Sequence, residues 1–141
     1  MLSGPDDFTG RLAAYVALAQ SGAHVVALAR TVGAPGASTF IGVERIADFL
    51  VWLGESGHGG VFNAGTDDPL TALDLHEIVC AALGREAKTS PVQPEEALTP
   101  FDFPARHAMS NRRARELGFD FGTVRERIPD LVRAHADGRG R

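Results

Sequence analysis

Between Phe40 and Gly84 the sequence leaves little slack. An extended apolar start at Thr39-Phe40-Ile41 runs straight into a helical stripe made by Val43, Ile46, Ala47, Leu50 and Val51. Trp52 and Leu53 widen that stripe, which predicts a helix buried on more than one side. "HGGVFNAG" then reads as a short strand held between glycines. Thr71, with Asp74 three residues on, has the form of a helix start. Leu75, Ile78, Val79, Ala82 and Leu83 give that helix its core face, and Gly84 ends it. Helix, strand and helix in such quick succession constrain the chain to a layered α/β arrangement in which helices cover a sheet.

The flanks continue this order. Leu12, Tyr15, Val16 and Ala19 predict a helix from about Phe8 to Ser21, capped by Gly22. "HVVALAR" (His24 to Arg30) reads as a strand and "TVGAPGAST" as a loop. Lys88 to Gln93 is a further candidate strand, and the proline-rich stretch up to Met109 reads as an irregular cover. Ser110 predicts the cap of a short helix through Leu117, stopped by Gly118. Val124, Ile128, Leu131 and Val132 mark the last helix, with a kink expected at Pro129. The expectation is an α/β fold, α+β in layout, with few strands and four or five helices in one domain over residues 1–141, frayed from 136 on.

Composition narrows the function classes. With 141 residues, 44% hydrophobic and 23% charged, the chain can bury a core without disulfides or metal. Cys80 is its one cysteine, so a reducing, cytoplasmic setting is expected. No apolar run approaches the roughly 18 residues of a membrane span, and the first residues lack the form of a secretory signal. A net charge of −4 and a pI near 5.7 give no electrostatic reason to expect nucleic acid.

Five stretches, "SGPDDFTGRL", "FIGVERIADFLVWL", "GGVFNAG", "PLTALDLHEIVCAALG" and "SNRRARELGF", occur in an order that resembles the C-terminal half of extended short-chain dehydrogenases/reductases. This is the NAD-dependent epimerase/dehydratase family, and the resemblance runs over about residues 3 to 132. It implies a truncated Rossmann-like chain, with Gly4-Pro5 at the point where a family member passes from its cofactor sheet into its substrate-binding part.

The family's cofactor machinery has no counterpart in these residues. Gly33-Ala34-Pro35-Gly36 lacks the third glycine of a dinucleotide fingerprint and its strand–helix frame. The family's Tyr-x-x-x-Lys pair has no match, because Ala19 stands four residues after Tyr15 and the single lysine is Lys88. The expectation is therefore no cofactor, and no competent NAD-dependent oxidoreductase in this chain alone. Thr39 also replaces the basic residue that commonly precedes Phe-Ile, and Arg45 replaces the Asp of Phe-Ile-x-Val-x-Asp. In nucleotide-sugar enzymes of the family that basic residue helps hold the diphosphate by charge-assisted hydrogen bonds, so a less charged, largely apolar substrate is expected.

Candidate residues fall into two groups. At the mouth of the first helix, Asp6 and Asp7 suit capping and the helix dipole, but desolvated against Phe8 and Tyr15 one can act as general acid or base. Arg11 at the same mouth can polarise a carbonyl, and Tyr15 lies on the apolar stripe with a hydroxyl that needs a partner. In "FDFPARHAM", Phe101, Phe103 and Met109 form an apolar cover, His107 can shuttle a proton with Asp102 orienting it, and Arg106 can hold an anionic group. Asn63 ends a predicted strand, where α/β sheets open onto ligand crevices. His76 and Cys80 share a helix face, yet they lack the second His and third ligand of a zinc site, so no metal is expected.

Asp7, Asp102 and His107 thus stand as candidate catalytic residues. Asp6, Arg11, Tyr15, Asn63, Phe101, Phe103, Arg106 and Met109 stand as candidate substrate contacts. Three readings follow: a cofactor-independent isomerase, cyclase or lyase; a binding subunit that forms a homo-oligomer or docks onto a separate Rossmann-type chain; or a fragment of an NAD-dependent epimerase or dehydratase.

Overall fold

The computed structural model describes residues 10–22, 25–27, 36–91, 99–101 and 106–137. The helix α1 (Arg11–Ser21) is followed by the strand β1 (Val25–Ala27) and the helices α2 (Val43–Ser56) and α3 (Ala72–Ala82). The strand β2 (Thr89–Pro91) and the helices α4 (Arg112–Glu116) and α5 (Ile128–Ala136) complete the order. β1 and β2 pair in parallel, with Val25 opposite Thr89 and Ala27 opposite Pro91. Pro91 is tolerated because this ladder is two strands wide among the described residues and Pro can take an edge.

Burial builds the fold around α3, which packs on both α1 and α5. Leu12, Tyr15 and Val16 of α1 meet Leu75 and Val79 of α3 and Ile128 and Val132 of α5 in one apolar cluster. The predicted stripe of the first helix is therefore the buried one, and Gly22 caps it in the left-handed region at φ 71°. α3 starts as its sequence suggests. The Thr71 hydroxyl accepts from the Asp74 amide at 3.1 Å while the Asp74 carboxylate accepts from the Thr71 amide at 2.8 Å. Burial pushes the Asp74 pKa up, but these bonds to Thr71 and the Arg125 guanidinium outweigh it and hold the carboxyl below its ordinary value.

A second cluster gathers Phe49, Phe119 and Phe121, with Trp52, Phe62 and Ala64 packed against it. The segment 37–41 runs between the two clusters. Ser38 exchanges backbone bonds with Leu70, antiparallel, and bridges His107 in parallel on its other side. Successive side chains of such a segment point to opposite faces. Phe40 accordingly enters the first cluster and Ile41 the second.

Four expectations are corrected. α2 is not buried on several sides among the described residues: Phe49 is its one buried residue, while Leu50 and Val51 are 61% and 60% exposed. Its inner face is set by Phe49 with Ile46, Trp52 and Leu53, so the broad stripe spans a covered and an uncovered face. "HGGVFNAG" forms no strand, because none of the Val61–Ala64 amides bonds another described backbone group. Pro129 does not kink α5 but opens it from the first turn, where its missing N–H costs nothing. α4 begins after Asn111, and the Ser110 hydroxyl accepts a long bond from the Arg112 amide at 3.4 Å instead of capping the helix.

Candidate functional site

The candidate residues that the structure describes lie along one seam, where the 106–111 stretch meets the 37–41 segment and the start of α1. Asp6, Asp7, Asp102 and Phe103 lie outside the described residues, as do His24 and the glycines Gly4 and Gly33.

At the α1 end, Tyr15 is fully buried and its hydroxyl pairs with Thr99 Oγ1 at 2.6 Å. Its ring stacks on Phe101 with centroids 5.9 Å apart, and Phe40 meets Phe101 edge-on at 5.0 Å. Phe101 is itself buried, so both aromatics shape the seam from within the core. Arg11 is exposed and carries its guanidinium 5.8 Å above the Phe101 ring. This Arg11–Phe101–Tyr15 stack ties the start of α1 to the cover segment.

Further along, His107 is exposed but its backbone is fixed. Its amide donates to the Ala37 carbonyl at 2.8 Å and its carbonyl accepts from the Thr39 amide at 3.4 Å. Arg106 is exposed beside it. The Met109 amide donates to Thr39 Oγ1 at 2.8 Å, and the Met109 side chain is half exposed. Thr39, standing where a basic residue was expected by resemblance, thus uses its hydroxyl to hold the cover in place. The Thr39 methyl also fills the space a Cβ on Gly65 would need, which is why these two stretches approach so closely. Asn63 Nδ2 donates to the Ser110 carbonyl at 3.0 Å, and Asn111 Nδ2 to the Gly65 carbonyl at 2.8 Å. These amides tie the 63–65 stretch to the same cover.

One group on the seam stands out chemically. The Ser38 hydroxyl is buried without a hydrogen-bond partner among the described residues, next to the fixed His107 backbone. Such a group is costly to leave unsatisfied.

His76 and Cys80 sit elsewhere, inside the first cluster. His76 Nε2 lies 3.2 Å from the Lys88 carbonyl, and Cys80 Sγ lies 3.6 and 3.7 Å from the two imidazole nitrogens. Burial lowers the His76 pKa against the opposing effects of the Lys88 carbonyl and Glu77, and burial raises the Cys80 thiol. Neutral imidazole and thiol are core groups here.

Sequence reasoning did not find a cleft of about 450 Å³ between the start of α2 and α5. Val43, Phe121 and Leu131 line its apolar part, and Thr66 and Thr123 its polar part. Arg127 and Glu44 pair at its edge at 2.7 Å. Arg45, the second departure from the family pattern, is already committed: it pairs with Asp48 at 3.1 Å, bonds the Asp120 carbonyl and lies over Phe119 at 4.6 Å. The signal in the sequence was weak, since Val124, Ile128 and Leu131 of "FGTVRERIPDL" read only as the face of a last helix, which in fact begins at Ile128.

No family model matches this sequence, and no curated protein matches it. Solved structures do match the fold. UDP-glucose 4-epimerase from Thermus thermophilus, solved with NAD, superposes with a TM-score of 0.64 at 20% identity, over 94% of this chain and 42% of that one. A dTDP-4-dehydrorhamnose reductase from Clostridium acetobutylicum gives 0.66 at 13% identity, over 86% and 42%. UDP-N-acetylglucosamine 4-epimerase from Bacillus cereus gives 0.59 at 19% identity, over 93% and 44%. The chain therefore has the α/β fold of part of these Rossmann-like enzymes and spans less than half their length. The resemblance first seen in five short stretches holds as a likeness of fold.

Proposed function

We propose that this chain forms the substrate-binding side of an epimerase- or reductase-like enzyme, and that it packs its α2 and Val61–Ala64 face against a dinucleotide-binding sheet. The observation that carries the reading is the state of that face. Val61 and Asn63 are exposed while Phe62 and Ala64 turn toward the second cluster, the period-two pattern of a strand, yet no neighbour pairs with it among the described residues. Leu50 and Val51 lie exposed on the adjoining helix. A strand-like stretch unpaired among the described residues, together with exposed apolar side chains on α2, suits a further strand and its layer. The occupant is argued from the matched enzymes: more than half of each lies beyond this chain's span, and one was solved with NAD.

In this reading the ligand lies along the seam and is small, largely apolar and weakly charged. Thr39 and Ser38 offer hydroxyls where a diphosphate would call for a cation. His107 moves a proton at the rim, with Asp102 orienting it and Asp7 as the second acid or base. Arg106 and Met109 bound the ligand. Calorimetric titration tests the division of labour. The chain alone is expected to bind NAD no tighter than about 1 mM, whereas micromolar binding would overturn the assignment of the dinucleotide to another sheet.

A second reading, a proton-transferring isomerase, cyclase or lyase that uses no dinucleotide, is favoured by one feature: the fixed, exposed His107 beside the unpartnered Ser38 hydroxyl. General acid–base catalysis is worth about 10² to 10⁴ in rate. His107→Ala should cost that factor on such a substrate, and unchanged turnover would remove this reading.

A further inference from the structure

The open edge does not hold itself in shape. Arg113, in α4, reaches across to it: Nη2 donates to the Gly59 carbonyl at 2.9 Å and Nη1 to the Val61 carbonyl at 3.2 Å. The same guanidinium lies 4.8 Å over the Phe62 ring. Between the two bonded carbonyls sits Gly60, whose φ of 106° is closed to ordinary L residues. A Cβ there would fall 2.6 Å from Arg113 Nη2, so the glycine both makes the bend and leaves room for the guanidinium. One planar fork thus grips two carbonyls and one ring, a set of contacts that an ammonium cannot reproduce.

We infer that Arg113 is the positioning residue of the docking edge: it fixes Gly59 to Phe62 so that the main chain of Phe62 to Ala64 is presented for strand pairing. The inference rests on the docking face proposed above. Holding a stretch in its bound shape before contact removes an ordering cost that association otherwise carries. In the isolated chain a second copy can cover the edge, since an antiparallel pair of identical strands is compatible with a two-fold axis.

The experiment compares the full chain with Arg113→Met, Arg113→Lys and Gly60→Ala. It uses ¹⁵N relaxation order parameters at Val61 to Ala64, sedimentation velocity across concentration, and thermal melting. The wild-type stretch should be as ordered as the helices, with order parameters near 0.85, and should fall below about 0.6 in all three variants. Self-association should weaken about tenfold, the order of fixing one backbone residue, while melting moves by only a few degrees. Arg113→Lys should not rescue. Unchanged order parameters in Arg113→Met would overturn the role of Arg113 whatever the wild type does in sedimentation. A wild-type chain that keeps the ordered stretch but stays monomeric at every concentration would instead overturn the docking face and leave the clamp standing as a local structure.

Discussion

At the scale of single residues, the seam depends on Tyr15 and the core on His76. Removing only the Tyr15 hydroxyl, as Tyr15→Phe, breaks the bond to Thr99 and should cost about 1 kcal/mol in denaturant unfolding. Tyr15→Ala also empties its place between α1 and Phe101 and should cost about 3 to 5 kcal/mol. His76 titrates with a definite sign. Its folded pKa is lowered from 6.5 by burial, so as pH falls below that value the unfolded chain takes up a proton first. The stabilising contribution of neutral His76 is therefore complete above pH 6.5 and lost as pH falls through the folded value. Melting temperature should decline across that acid window, and His76→Leu should flatten the decline. Tyr15 was legible as a buried residue because it sits on a clean stripe. The burial of His76 was not, because its helix neighbours say nothing of the stretch just before β2, which supplies the Lys88 carbonyl.

At the scale of elements, local grammar carried far where a segment closes its own bonds. The reciprocal Thr71–Asp74 cap is written in four consecutive residues, and Thr71→Ala should lower stability by about 0.5 to 2 kcal/mol in a urea titration. Gly22 as a left-handed cap was legible for the same reason. α2 was not, because an apolar stripe records which face wants cover and not whether the cover is present. Leu50 and Val51 satisfy helical spacing as well as Phe49 does, yet only Phe49 is enclosed. "GGVFNAG" misled in the same way: its alternation has the strand's period, but a strand exists only with a neighbour. The segment 37–41 shows the converse. Phe40 and Ile41 looked like one apolar unit, and tertiary pairing with Leu70 and His107 sends them into different clusters. Alanine at either position should therefore cost about 2 to 5 kcal/mol, with near-additive effects in the double variant because the two share no cluster.

At the scale of the molecule, the fold class and the likeness to epimerases and reductases were legible in five short stretches, since their order reflects which elements cover which. The candidate site was legible only in part. Tyr15, Phe101, His107 and Met109 do gather along one seam, but through Thr39, Ser38 and Thr99, small hydroxyl residues whose roles depend on distant partners. The exposure of Leu50 and Val51 on α2 and of Val61 on the unpaired stretch belongs to this scale alone, and on it rests the proposal of a substrate-binding side completed by a second sheet. Sedimentation velocity of the wild-type chain beside a Leu50→Glu/Val61→Glu variant tests that claim most directly. The account predicts reversible, concentration-dependent association in the wild type and a monomer with nearly unchanged melting in the variant. A wild-type chain that sediments as a clean monomer at all concentrations would contradict it.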